Sequence, residues 1–560
     1  MRPWPNTKHR LSPTTSKMVG GTTRSLLLVL PWLLDLHTAR AFQPRLPAKR
    51  RRCAIASTSA ASSGRITASS TASQQNNNNT GDTTTDFNPA DFGLRGLYPP
   101  SVTYRNGTLA VDQVHTLYYE VYGRGHHHGD NAADDSLYRT ALFLHGGPGA
   151  GCVPNHARFF DPTRYRIVLL DQRGSGRSTP RGATQFNTLL DVVEDCERLR
   201  RHLDVDHWDV VLGGSWGTTV AVAYTQLYPA ALRAVVLRGV CLLRPNEVQW
   251  LFASNGGMAK RYPEQWQAFA EAVDKAAPSS TTATLASTSS DTTTVEAHPY
   301  DVLYAYYDRL LGSDPQQRLA ATQAWMRWEM NAFTGGAVSM KNQTTNSSNN
   351  QQEQQKQDLE RRAAAPVAVY TPPSQQWEWQ DGQGARYTSL TDPPPCADTV
   401  QNLRQGLDKQ APILEKYQSA PRPLMPVTHD GESATVPSPI NATSKGQLSP
   451  EAMALYIPAQ AMLTCFYSAN RGYAMNHVSL LERVANNNYM NSHKHVPYLI
   501  AVHGGNDGVC PVDTALDLLT YWPSGRMELR IPLQSGHSMY DVMVTNELVR
   551  ATDRLAQMLE

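Results

Sequence analysis

The chain has 560 residues, 40% of them hydrophobic, which is more than one compact domain usually needs and enough to bury a sizeable core. Its 51 basic and 49 acidic residues nearly cancel, yet twelve of the bases and only one acid, Asp35, fall within residues 1–81. The remainder is therefore acidic by about nine charges, which argues against a nucleic-acid partner. The seven cysteines are odd in number, widely spaced and without a C-x-x-C pair, which argues against a zinc site or a disulfide framework and fits a mostly reduced compartment.

In chain order, basic residues run up to Arg24 and precede an apolar stretch, 25–34, that contains Pro31 and is too short to span a bilayer comfortably. Ala39-Arg40-Ala41 has the small-x-small pattern of a signal-peptidase site. Phe42 follows directly, and residues 36–81 contain no acid but many Arg, Ser, Thr and Ala, a transit-peptide composition. The combination resembles the bipartite leader of diatoms and related algae, with a signal peptide over about 1–41, a transit-like part over 42–81 and leader plus linker over 1–90. That resemblance implies delivery to a plastid and no stable membrane anchor once the leader is removed. An ordinary secretory signal, with a secreted or endomembrane destination, is the alternative.

From about Leu94 the pattern changes. His115–Gly123 alternates like a strand. Ala141–Leu144 runs into a glycine-rich turn, Tyr165–Leu170 into Asp171-Gln172-Arg173-Gly174, and Trp208–Leu212 into Gly213-Gly214-Ser215. Helical periodicity follows over Leu189–Leu203 and Thr218–Tyr228, the latter stopped before Pro229. Short apolar strands alternating with helices predict an α/β fold with a mostly parallel sheet buried on both faces. Residues 244–333 read as helical, with Trp250, Trp266, Trp325 and Trp328. Two stretches, 278–297 and 335–450, are so rich in Ser, Thr, Gln, Asn and Pro that surface loops or disorder are expected there. Tyr498–Val502 and Met527–Ile531 are two further strands.

Gly213-Gly214-Ser215-Trp216-Gly217 fits G-x-S-x-G, between a predicted strand and a predicted helix, the context in which a sharp turn exposes a nucleophilic serine. A neutral serine needs a base. In this arrangement the acid and then the histidine follow the serine, which points to Asp507 in His503-Gly504-Gly505-Asn506-Asp507 and to His537 in Ser535-Gly536-His537. Both follow strands, where sites of parallel sheets gather. His503 competes as the histidine and Asp513, inside a predicted helix, as the acid. For a developing oxyanion, the N–H groups of Gly147, in His145-Gly146-Gly147-Pro148-Gly149, and of Trp216 are the expected donors. His126-His127-His128 sits in a polar loop without a partner motif and is read as a solvated loop, so no metal site is expected.

These pieces resemble the proline iminopeptidase (prolyl aminopeptidase) family. The likeness begins at Leu94–Pro100, runs through the His145 glycine turn, Asp171–Ser178 and Gly213–Gly217, and continues over Tyr304–Glu329 to the segments of Asp507 and His537. It implies an α/β-hydrolase core (91–243 and 476–560), an inserted helical cap over 244–475 that carries both low-complexity insertions, no cofactor, and release of N-terminal proline from small peptides with a free N-terminus. Glu329 would then bind the free α-amine; a carboxylate among tryptophans needs such a partner. Arg238, in Leu237-Arg238-Gly239, stands at a family-matching position, open to a structural ion pair or a substrate contact. The resemblance also breaks in places: the family's second amine-binding glutamate falls at Thr464, the aromatic that packs on proline at Cys241, and a second pocket aromatic at Leu251. Those changes keep open an α/β-hydrolase acting on other small amides or esters. The oligomeric state is not legible in the sequence.

Overall fold

The structure is a computed structural model that describes residues 88–101, 103, 105–123, 138–274, 298–333, 348–372, 374–387, 395–408, 450–470, 480–486 and 496–559. The leader, His126–His128 and the insertion 278–297 lie outside the described residues. Ten strands form one mixed sheet: β1 (Arg105–Ala110), β2 (Thr116–Tyr122), β3 (Arg139–Leu144), β4 (Tyr165–Asp171), β5 (Trp208–Gly214), β6 (Leu232–Arg238), β7 (Val367–Thr371), β8 (Gln376–Gln380), β9 (Tyr498–Val502) and β10 (Met527–Pro532). Their spatial order is β1-β2-β4-β3-β5-β6-β9-β10-β7-β8. From β4 to β10 the pairing is parallel throughout.

Parallel strands covered on both faces must be apolar on both. All seven residues of β5 are buried. Along β3, Leu142 and Leu144 enter one core layer and Ala141 and Phe143 the other, as alternation of side chains requires. The helices Leu189–His202 and Trp216–Leu227 contribute to the first layer, and Val542–Met558 to the second. Thr188 caps the first of these helices, accepting from the Asp191 N–H while the Asp191 carboxylate takes the Thr188 N–H.

The register decides where a site can form. Leu144 stands opposite Leu170 and Gly213, Gly214 opposite Arg238, and Arg238 opposite Val502. The turns after β3, β5, β6 and β9 therefore leave the sheet at one edge, bringing together the segments that begin at His145, Ser215, Gly239 and His503.

Between β6 and β9 lies a helical layer that includes Pro245–Phe252, Pro263–Asp274, Asp301–Leu310, Pro315–Phe333 and Pro450–Ala469. Its aromatics pack on one another: ring centroids of Phe252 and Trp325 are 4.7 Å apart, Phe269 and Tyr306 4.2 Å, Phe269 and Trp328 5.3 Å. None of the helices searched among the described residues is long and apolar enough to cross a membrane.

The expectation for 335–450 needs correction. Ser348–Ala363 and Cys396–Asn402 are helices, and β7–β8 is a hairpin that extends the sheet beyond β10. Val367, Ala368 and Val369 are fully buried, and Val369 stands opposite Arg530. Composition averaged over the long polar stretch hides one short β-branched run that suits a sheet. This part of the insertion thus belongs to the sheet rather than to a cap over 244–475; residues 409–449 lie outside the described residues.

Candidate active site

Ser215 occupies the turn from β5 into its helix with φ 54° and ψ −119°, a backbone region that a non-glycine residue enters only when its surroundings hold it there. Its N–H donates to the Arg238 carbonyl (2.8 Å), and its carbonyl accepts from the Thr218 N–H (2.8 Å). The turn passes close to β3: a Cβ on Gly217 would lie 2.2 Å from the Leu144 carbonyl oxygen, so only glycine fits.

His537 Nδ1 lies 2.8 Å from Asp507 Oδ2. Burial alone would push the Asp507 carboxyl up, but His537, His503 and the Cys510 N–H more than offset that and hold it below its ordinary value. It is therefore ionised and accepts the Nδ1–H. Asp507 Oδ1 is held by the N–H groups of Val509 (2.9 Å) and Cys510 (2.8 Å). Gly239, at φ 58°, makes room for the pair: a Cβ there would meet His537 Cε1 at 3.0 Å, Nδ1 at 3.1 Å and Asp507 Oδ2 at 3.3 Å.

Arg238 lines the cavity and does not make the structural ion pair left open for it. Among the described residues no carboxylate lies within ion-pairing distance of it. Instead its Nη1 donates to His537 Nε2 (3.0 Å) and to the His537 carbonyl (2.9 Å). Arginine has no lone pair to offer, so Nε2 is the acceptor and the proton of the neutral ring sits on Nδ1. That is the tautomer a general base needs. Burial lowers the Arg238 pKa.

The rivals are engaged elsewhere. His503 accepts the Val240 N–H at Nδ1 (3.0 Å) and bonds the Cys510 carbonyl through Nε2 (2.8 Å), tying the loops after β6 and β9, with burial lowering its pKa. Asp513 accepts the Gln405 N–H (2.8 Å). His145 accepts the Gln172 N–H (3.1 Å), and Gln172 in turn accepts from the Trp216 indole (2.8 Å), joining the glycine turn, the Asp171 segment and the nucleophile turn. Below them, Arg177 bridges Asp171 (2.8 Å) and Glu120 (2.5 Å) in the interior.

A cavity of about 430 Å³ is lined by Gly147, Ser215, Trp216, Arg238, Cys241, Leu251, Glu329, Thr464 and His537, among others, within the range of small-molecule sites. Trp216 opens its helix, where an N–H has no intrahelical acceptor. Glu329 enters from the helix Pro315–Phe333, with Oε1 accepting from the Trp325 indole (2.8 Å) and Oε2 from the Gln460 amide (3.0 Å). Burial pushes its pKa up to about 7, against the lowering effect of hydrogen bonds from Trp325, Gln460 and Thr464. No cation lies within ion-pairing distance of it among the described residues.

Thr464 is buried beside it, with its hydroxyl also reaching the Pro148 carbonyl (3.2 Å). Gln460 escaped the sequence reading; its spacing of four from Thr464, and again to Ser468, marks one polar stripe on an otherwise apolar helix. On the same helix and just past its end, the Tyr467 hydroxyl donates to Asn187 (2.6 Å) and the Asn470 amide to the Phe466 carbonyl (2.8 Å).

A central parallel sheet with a serine on a strained strand–helix turn, followed in sequence by an acid and a histidine at the same sheet edge, defines an α/β-hydrolase. A family profile described as alpha/beta hydrolase fold matches residues 142–362. Over 236 residues, 42% of this chain, it is 40% identical to proline iminopeptidases of Arabidopsis thaliana and Xanthomonas citri, covering 53% and 64% of their lengths. A probable proline iminopeptidase of Leptolyngbya boryana is 36% identical over a stretch of the same length, 63% of that protein. The match thus spans between about half and just under two thirds of these curated relatives. Residues 142–362 thus carry the α/β-hydrolase fold, and over 236 residues the chain is similar to proline iminopeptidases.

Proposed function

We propose that the protein is a serine aminopeptidase that releases an N-terminal residue, proline by its likeness to proline iminopeptidases, from small peptides with a free N-terminus. The observation that carries this reading is the Glu329 carboxylate, which faces the cavity of Ser215 and His537 with no cation beside it among the described residues. A substrate α-ammonium supplies the missing cation, and anchoring the amine there sets the first carbonyl beside the serine.

In this reading Ser215 Oγ takes over the Nε2 lone pair from Arg238, and His537 accepts its proton as Ser215 attacks the carbonyl. The Gly147 and Trp216 N–H groups stabilise the oxyanion. Asp507 holds the imidazole and stabilises its charged form. His537 then protonates the departing amine, and a water activated by His537 releases the acyl group. Neither a metal nor a cofactor is needed for these steps.

The test is hydrolysis of prolyl, alanyl and N-blocked prolyl arylamides by the purified protein. A preference for the unblocked prolyl substrate is expected despite Thr464, Cys241 and Leu251. Equal rates on blocked and free substrates would contradict the amine site and move the protein to hydrolases of other small amides or esters. For the leader, composition supports a plastid destination; a fusion of residues 1–90 to a fluorescent protein tests it, and export from the cell would contradict it.

A further inference from the structure

Cys241 and Cys510 meet at the floor of the active-site cavity. Cys241 stands three residues beyond β6 and Cys510 eight beyond β9, and these strands are neighbours with Arg238 opposite Val502. Both residues line the cavity, and the Cys241 thiol is near enough to the Cys510 thiol to be the largest influence on it. Cys510 Sγ also lies within 4.8 Å of ligand-type atoms of Asp507 and His537. Among the six described cysteines, Cys241 alone is partly exposed.

Each backbone is anchored to the catalytic machinery. The Cys241 N–H donates to Thr218 Oγ1 (2.9 Å), and its carbonyl accepts from Thr218 (2.7 Å) and Thr219 (2.8 Å), on the helix that starts after Ser215. The Cys510 N–H holds Asp507 Oδ1 (2.8 Å) and its carbonyl takes His503 Nε2 (2.8 Å). A cysteine at 241, where the family resemblance places an aromatic, is what completes the pair.

We propose that Cys241 and Cys510 are a redox modification site at which a peroxide closes a disulfide that switches off the active site. The proposal rests on the assignment of Ser215, Asp507 and His537 as the reacting centre. Cys241 Sγ, the accessible partner, attacks a peroxide oxygen; the O–O bond breaks, and the alcohol or water leaves with the thiol proton. Cys510 Sγ then displaces hydroxide from the resulting sulfenic acid, its own proton completing a water molecule as the S–S bond forms. The two thiols lose two electrons, and the peroxide is reduced to alcohol and water. Contact with the Cys241 thiol and burial hold the Cys510 thiol well above its ordinary pKa, which leaves Cys241 as the partner that meets the peroxide first.

Closing the bond requires a sulfur separation of about 2.0 Å, so the sulfurs must leave thiol contact and draw their loops together. The Cys510 loop carries Asp507, and a displacement of about 1 Å at a catalytic group costs on the order of 100-fold in rate.

The test exposes the full chain to hydrogen peroxide, then maps disulfide-linked peptides by mass spectrometry and measures the rate of Ser215 labelling by a fluorophosphonate. A Cys241–Cys510 linkage is expected, with labelling slowed at least about tenfold and restored by dithiothreitol. Cys241→Ser and Cys510→Ser variants, each compared with its own untreated form, are expected to keep their labelling rate under peroxide. Absence of the linked peptide, or equal peroxide inhibition in both variants, would overturn the proposal. A reduced protein that does not label at Ser215 would instead overturn the active-site assignment, whatever the disulfide map shows.

Discussion

Replacing Glu329 with glutamine removes the charge and one acceptor, so the Gln460 amide, which now donates to Oε2, must turn its oxygen toward the new NH2. The side chain keeps its length and an oxygen that can accept from the Trp325 indole, which now reaches Glu329 Oε1 at 2.8 Å. An ammonium about 4 Å from the carboxylate is worth about 4 kcal/mol at an effective dielectric near 20. Desolvating the ammonium and the hydrogen bond that glutamine retains offset roughly half of this, leaving about 2 kcal/mol, or about 30-fold in kcat/KM. The carboxyl pKa of about 7 sets the sign with pH: the carboxylate form is present above that value and is lost as the pH falls through it. The assay is kcat/KM for a free-amine and an N-blocked substrate from pH 5 to 8. The ratio of the two cancels whatever protonation the triad itself requires. In the native enzyme this ratio is expected to fall by up to about tenfold per unit once the pH is below 7. In Glu329→Gln it stays low and flat. Equal loss on both substrates, or a flat ratio in the native enzyme, would refute the amine-binding role.

Gly239→Ala places a methyl group about 3 Å from the His537 ring at a backbone φ of 58°. The expected outcome is a fall in kcat on the order of 100-fold with a stability loss of about 1 kcal/mol, read by kinetics and thermal unfolding. Val369→Asp buries a charge in the edge hairpin, where Val369 is fully buried opposite Arg530. A loss of about 3 kcal/mol in denaturant unfolding is expected. An unchanged midpoint would mean that β7 does not belong to the sheet.

What was legible in the sequence was what short-range pattern controls. The apolar runs ending at Leu144, Leu170 and Leu212 mark buried parallel strands, and each runs into a turn whose glycines and polar residues are its own signature. Asp507 and His537 could be named because each follows such a run, and register then brings them to the edge where Ser215 sits. The β7 strand was hidden because five residues of β-forming sequence sit within a long polar stretch, and their partner, β10, lies far along the chain. Arg238 was ambiguous for a similar reason: its bond to His537 spans 299 residues and no local pattern announces it. Gly239 reads as an ordinary turn glycine until the His537 ring is seen above it. Gln460 differs, since its spacing of four from Thr464 and again to Ser468 is a local pattern of the sequence.

The nucleophile can be observed directly by trapping the intermediate. The protein is mixed with a proline nitrophenyl ester, quenched in acid within its first turnovers, and digested for mass spectrometry. A prolyl adduct on the peptide that contains Ser215, absent from Ser215→Ala together with nearly all turnover, is the predicted result. An adduct on another side chain, or full turnover by Ser215→Ala, would contradict it.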